Sequence, residues 1–88
     1  MQLALHGGRA ASKVTGKPCI APSAIKTYLY NEIPVALNEE EIYKLIEDWT
    51  KAAIRVKKAG FDGVEVHGSH GYLINQFISP YTNKRTDK

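Results

Sequence analysis

From Asn38 to His67 the chain reads as a capped helix that passes through a single glycine into a strand, and this succession constrains the fold more than any other feature. Asn38 is a good N-cap, Glu41 stands three residues on in a capping box, and Leu37 is placed to staple against Ile42. Glu39, Glu40 and Glu41 put negative charge at the positive end of the helix dipole, and Arg55, Lys57 and Lys58 complement its other end. Ile42, Leu45, Ile46, Trp49, Ala52, Ala53 and Val56 follow the spacing of one apolar stripe. Gly60 is the natural stop, because a helix commonly ends on a left-handed residue. Phe61 to His67 then alternates as a strand, with Val64 and Val66 on one face and Gly63, Glu65 and His67 on the other.

Upstream, Met1 to Leu5 is mostly apolar and runs into His6-Gly7-Gly8-Arg9, a turn signal, so a strand is expected to end near His6. From Arg9 to Leu37 there is little periodicity, and Gly16, Pro18, Pro22 and Pro34 interrupt it. That connection is long for a compact domain, where most run to about 4–6 residues. Tyr72 to Ile78 reads as a short helix ending before Pro80. Strand, crossover helix and strand make a βαβ unit of a parallel sheet, and the fold class is α/β. Parallel sheets are covered on both faces, so Glu65 and His67 are expected to face an enclosed interior such as that of a barrel.

Composition sets limits on function. The 88 residues are 43% hydrophobic and 24% charged, the balance of an ordinary globular chain, which excludes a disordered tail or a disulfide-rich miniprotein. No stretch approaches the roughly 20 apolar residues of a membrane span, and the first residues lack the pattern of a signal peptide. One cysteine, Cys19, cannot close an intrachain disulfide, so a cytoplasmic location is the default expectation. Twelve basic residues against nine acidic ones is a mild excess, scattered along the helix and the tail. A nucleic-acid binder shows a denser stripe or interleaved aromatic platforms, so no nucleic-acid partner is expected.

The chemistry gathers in Glu65-Val66-His67-Gly68-Ser69-His70-Gly71-Tyr72. In parallel α/β folds ligands sit at the C-terminal ends of the strands, where the βα loops converge. His67 is the last strand residue, and His70 and Tyr72 follow on a loop loosened by Gly68 and Gly71. Two imidazole N–H groups can bind a carbonyl or nitro oxygen and stabilise the negative charge that grows on it during reduction. A phenol, with an ordinary pKa of about 10, can give a proton to carbon. Two other readings stay open at this point. A strand-end histidine is often a satisfied structural residue, and Glu65, His67, His70 and His6 include potential zinc ligands. The histidines are three apart on a strand and glycine loop, unlike the four-residue helical spacing of zincins, so no metal site is expected.

Ala59-Gly60-Phe61-Asp62-Gly63-Val64-Glu65-Val66-His67-Gly68-Ser69-His70-Gly71-Tyr72-Leu73-Ile74-Asn75-Gln76-Phe77-Ile78-Ser79-Pro80, with Thr82-Asn83 and Arg85-Thr86-Asp87, closely resembles the old yellow enzyme family of flavin-dependent ene-reductases. His6-Gly7-Gly8-Arg9, Ile20-Ala21-Pro22-Ser23-Ala24-Ile25 and the helix start at Leu37-Asn38-Glu39 are similar to the family as well. The nearest-looking branch is that of bacterial NADH-dependent flavin oxidoreductases, including 2,4-dienoyl-CoA and enoate reductases. The resemblance implies an FMN-binding (β/α)8 TIM barrel that reduces an activated C=C bond with NADH or NADPH. It implies that His67 and His70 hold the substrate's electron-withdrawing oxygen, that Tyr72 protonates the α-carbon, and that the small-molecule partner is an enone or enoyl compound.

One departure concerns the cofactor. The family's Gln-Leu, three residues, then Gly-Arg would put glutamine at Leu3, whereas the only nearby glutamine is Gln2. A one-residue shift turns a strand side chain to the other face, so either a bulge absorbs the extra residue or Gln2 misses the flavin. A whole barrel takes about 250 residues. Residues 1–88 are therefore expected to be a partial barrel, from the end of strand three to the loop after strand four, inactive alone and able to form a homo-oligomer when complete. An iron–sulfur cluster, found in part of that branch, would not be encoded here. The competing expectation is a non-catalytic βαβ module completed by a partner.

Overall fold

The structure, a computed structural model, describes every residue from Met1 to Lys88. Strand β1 (Gln2–Leu3) leads through a 3₁₀ turn (Gly7–Arg9) to a single-turn helix α1 (Ser12–Thr15). Strands β2 (Ile20–Ala21) and β3 (Val35–Ala36) follow, then the long helix α2 (Glu39–Lys58), strand β4 (Glu65–Val66) and the short helix α3 (Leu73–Ile78). β1 and β4 pair in parallel, Gln2 opposite Glu65 and Leu3 opposite Val66. In this ladder Glu65 N–H donates to Met1 O and His67 N–H to Leu3 O, and beyond it Leu73 N–H, at the start of the last helix, donates to Leu5 O, each at 2.9 Å. The parallel βαβ unit expected from the sequence is present.

Helix α2 forms for the reasons its sequence states. Asn38 Oδ1 accepts from Glu41 N–H at 2.8 Å, and Asn38 N–H donates to Glu41 Oε2 at 2.9 Å, closing the capping box. Gly60 stands at φ 91°, a left-handed conformation that favours glycine, and ends the helix. Its apolar stripe is only half covered. Val56 is buried, Ile42, Leu45, Trp49, Ala52 and Ala53 are half-buried, and Ile46 remains 56% exposed.

The buried core lies elsewhere, in the stretch expected to be a plain connection. Cys19, Ala21, Tyr30 and Leu37 are buried there, with Pro22, Pro34 and Thr27, and they meet Leu73 and Gln76 from α3. This corrects the expectation of an unstructured Arg9–Leu37 loop. β2 and β3 pair in parallel, with Val35 N–H on Cys19 O at 2.8 Å and Leu37 N–H on Ala21 O at 3.0 Å. Each strand is two residues long, too short for the alternation that reveals a strand in sequence. The tail is tied to the same region, because the guanidinium of Arg85 donates to Pro22 O, to Leu37 O and to both carboxylate oxygens of Asp87.

A second difference concerns the length of β4. The expected strand Phe61–His67 pairs only over Glu65–Val66, Glu65 is exposed and Val66 is 54% exposed. With two strands in the sheet no barrel closes within these residues, and neither face of β4 is sealed. No helix is long and apolar enough to cross a membrane.

Candidate active site

β4 delivers His67 to the C-terminal edge of the β1–β4 sheet, and the chain then reverses over Gly68 to Tyr72 before α3 begins. The reversal is tight: His70 has φ 58° and Gly71 φ 68°, two successive left-handed residues, and Tyr72 N–H donates back to Ser69 O at 3.2 Å. This folds His70 and Tyr72 toward His67. The rings of His67 and His70 lie 5.1 Å apart between centroids, those of His67 and Tyr72 5.0 Å, and those of His70 and Tyr72 6.4 Å. All three residues named from sequence share one corner of the molecule.

The two imidazoles address the same space. His70 Nδ1 stands 3.4 Å from His67 Nε2, and Ser69 Oγ lies 3.3 Å from the same His70 nitrogen. An acceptor oxygen entering between the rings would replace this weak contact with N–H donors from either side. His67 and Tyr72 are half-buried and His70 is exposed, so the corner is open to a ligand.

Gln2 sits on the same face. Its side-chain N–H donates to Glu65 Oε1, and Glu65 shares its side of β4 with His67. The ladder from Met1 to Leu3 contains no bulge, and beyond it Leu5 O accepts from Leu73 N–H at the start of α3 rather than from β4. The spacing to Gly8-Arg9 does not fix the face, because the chain leaves extended geometry at His6 (φ −68°, ψ −28°) and turns through the 3₁₀ segment. The register with β4 fixes it instead.

Several participants were not assigned to this site from the sequence. The His6 ring packs tilted against Tyr72, 4.5 Å between centroids, and the Arg9 guanidinium stands 5.4 Å from the Tyr72 ring centre while donating to His70 O. Gln76, 1% exposed, donates from Nε2 to His6 O at 3.1 Å and to Gly71 O at 2.7 Å, and accepts from Gly8 N–H at 3.1 Å. Asn75 Oδ1 accepts from Gly71 N–H at 2.9 Å. A signal for Gln76 was present: it stands three residues after buried Leu73, a polar amide on the inward side of α3. His6, Glu65, His67 and His70 do not come together as a metal-binding group.

Known proteins resemble the chain over its whole length. The profile of the NADH:flavin oxidoreductase / NADH oxidase family matches residues 1–88. The chain belongs to that family. It is 56% identical over 87 residues to an NADPH dehydrogenase of Halalkalibacterium halodurans, covering 99% of this chain and 25% of that protein. Among solved structures, morphinone reductase superposes with a TM-score of 0.92 at 36% identity, over 98% of this chain and 28% of that one. The old yellow enzyme homologue of Zymomonas mobilis gives a TM-score of 0.88 at 41% identity, over 98% and 27%. The chain thus spans about a quarter of the length of these relatives, and its fold is part of a (β/α)8 barrel.

The donor set suits one portion of a flavin. The pyrimidine edge of the ring alternates carbonyl acceptors with an N–H, and the carboxamide of Gln2 offers the matching donor and acceptor. The His67, His70 and Tyr72 corner suits the ligand that would lie against the ring.

Proposed function

We propose that residues 1–88 form the substrate side of an FMN-dependent ene-reductase, running from the end of the third barrel strand to the loop after the fourth. The reaction is reduction of the activated C=C bond of an α,β-unsaturated carbonyl, dienoyl or enoate substrate, with NADH or NADPH as electron source. The observation that carries this reading is the convergence of His67, His70 and Tyr72 at the C-terminal end of β4.

FMN, if bound beside Gln2, would supply the hydride for the substrate's β-carbon. His67 and His70 donate N–H bonds to the electron-withdrawing oxygen and draw off the charge that develops there. The Tyr72 hydroxyl delivers the proton to the α-carbon, its ring held between the His6 ring and the Arg9 guanidinium. Gln2 holds the flavin ring edge, oriented by its bond to Glu65. Cys19 is buried and its thiol is pushed up by that burial, which suits a core residue rather than a ligand of an iron–sulfur cluster.

The exposed apolar surface favours completion by further barrel units over a self-sufficient module. Ile42, Leu45, Trp49, Leu73 and Phe77 line a groove of about 240 Å³ between α2 and α3 with almost no polar wall, and Val66 of the sheet is exposed as well. Purified alone, the 88-residue chain should associate or aggregate and remain colourless; a yellow monomer would overturn the partial-barrel reading.

The decisive test is Tyr72→Phe in the complete enzyme, followed by rapid mixing. Reoxidation of the reduced flavin by cyclohex-2-enone should slow by about 100-fold or more, the usual contribution of a general acid, while flavin reduction by NADPH is retained. Equal loss in both half-reactions would remove Tyr72 as the proton donor.

A further inference from the structure

We propose that Arg9, Asn75 and Gln76 are positioning residues that lock the peptide between His70 and Gly71, and that this lock sets how tightly the His67–His70 pair grips an acceptor oxygen. The inference rests on the function proposed above and adds three side chains to it.

His70 is the only residue other than glycine with a positive φ, and Gly71 beside it is also left-handed. A side chain in that region is strained, and an unrestrained loop would relax. Relaxation would proceed by rotating the 70–71 peptide, which swings the His70 ring away from His67. Both polar atoms of that peptide are occupied. The His70 carbonyl accepts from Arg9 Nη1, and the Gly71 N–H donates to Asn75 Oδ1 at 2.9 Å. The next carbonyl, that of Gly71, accepts from Gln76 Nε2 at 2.7 Å.

Gln76 extends the lock to the other strand. Its remaining amide bonds go to His6 O and Gly8 N, both at 3.1 Å, so the turn after β1 and the loop after β4 are joined through one buried carboxamide. Gly7 has no side chain for the same reason: a Cβ there would lie 2.4 Å from Gln76 Oε1. Arg9 joins the two parts from the solvent side, its guanidinium over Tyr72 and on His70 O. All the hydrogen bonds of these three side chains go to backbone groups and none to an imidazole, so each acts through the loop.

The donor inventory makes the lock testable. Asn75 contributes only an acceptor to Gly71, which an aspartate keeps. Gln76 contributes an acceptor and two donors, which a glutamate cannot replace.

In the complete, flavin-loaded enzyme, the readouts are the affinity for 4-chlorophenol, followed by the change in flavin absorbance, and amide hydrogen exchange at Gly71 and Tyr72. Asn75→Ala and Arg9→Met should each weaken phenol binding about tenfold, the scale of one lost hydrogen bond, and raise the KM for cyclohex-2-enone more than they lower kcat. Exchange at Gly71 should rise in Asn75→Ala, and FMN content should be unchanged in both. Asn75→Asp should restore phenol affinity, whereas Gln76→Glu should not keep it. Wild-type affinity and exchange in Asn75→Ala, or an Asn75→Asp variant as weak as Asn75→Ala, would overturn the lock. Arg9 is exposed, so Arg9→Met decides the matter if Asn75→Ala does not fold. A wild-type enzyme that fails to bind the phenol would instead overturn the proposed function, with Gly71 exchange still deciding the lock.

Discussion

Helix α2 and the ring of short segments around Gln76 are built on opposite principles. α2 is twenty residues long, closes its own capping box, and buries a single side chain, Val56. The segments around Gln76 have little regular structure, yet they hold most of the buried residues and are tied by bonds between residues 61 to 70 positions apart. The first region is stabilised by neighbours in sequence, the second by neighbours in space. Its glycines, turns and buried amide make the second region the one where a single atom matters.

That contrast breaks first at Gly7. Gly7→Ala combines a left-handed backbone with overlap against Gln76, for an expected loss of about 3 kcal/mol in a denaturant titration of the complete enzyme. A cost near zero would mean that the Gln76 region yields as easily as the helix. Arg85→Ala comes next, at about 2 kcal/mol, because it strips Pro22 O and Leu37 O of a charged donor whose side chain is only 15% exposed.

Arg85 also adds a pH signature. Its hydrogen bond holds the Asp87 carboxyl below the usual carboxylate range, so this pair favours the folded state above the ordinary carboxylate pKa of about 4. The contribution fades as pH falls through the lowered value. Asp87→Asn should therefore lower stability slightly at neutral pH, leave it unchanged in strong acid and so flatten the acid limb of the profile; an unaltered acid limb would count against the pair.

On the helix the effects should be smaller. Asn38→Ala removes the cap and should cost about 1 kcal/mol, read as a shift of the denaturant midpoint. Lys44→Ala breaks an exposed pair with Asp48, and no resolvable change in Tm is expected. A helix variant that cost more than Gly7→Ala would reverse the comparison.

Legibility followed the same division. The capping box, the glycine stop and the parallel βαβ order were readable because each depends on residues a few positions apart. His67, His70 and Tyr72 were readable because they crowd into one strand-end loop, and the structure gathers them as their spacing suggested. Gln2 was ambiguous from spacing alone, since only its register against Glu65 decides its face. Two-residue strands left β2 and β3 without a periodic signal, and nothing in a one-dimensional pattern pairs Gln76 with His6 and Gly8.

By itself, then, the sequence determined the helix, its two ends, the α/β class and the cluster of donor side chains at the strand end, because capping, periodicity and donor chemistry are local. Tertiary structure alone decided where the core lies, which face Gln2 takes, and how His70 is held in a left-handed turn beside His67. Those outcomes depend on hydrogen bonds whose partners are distant in the chain, and such bonds exist only after the segments have met.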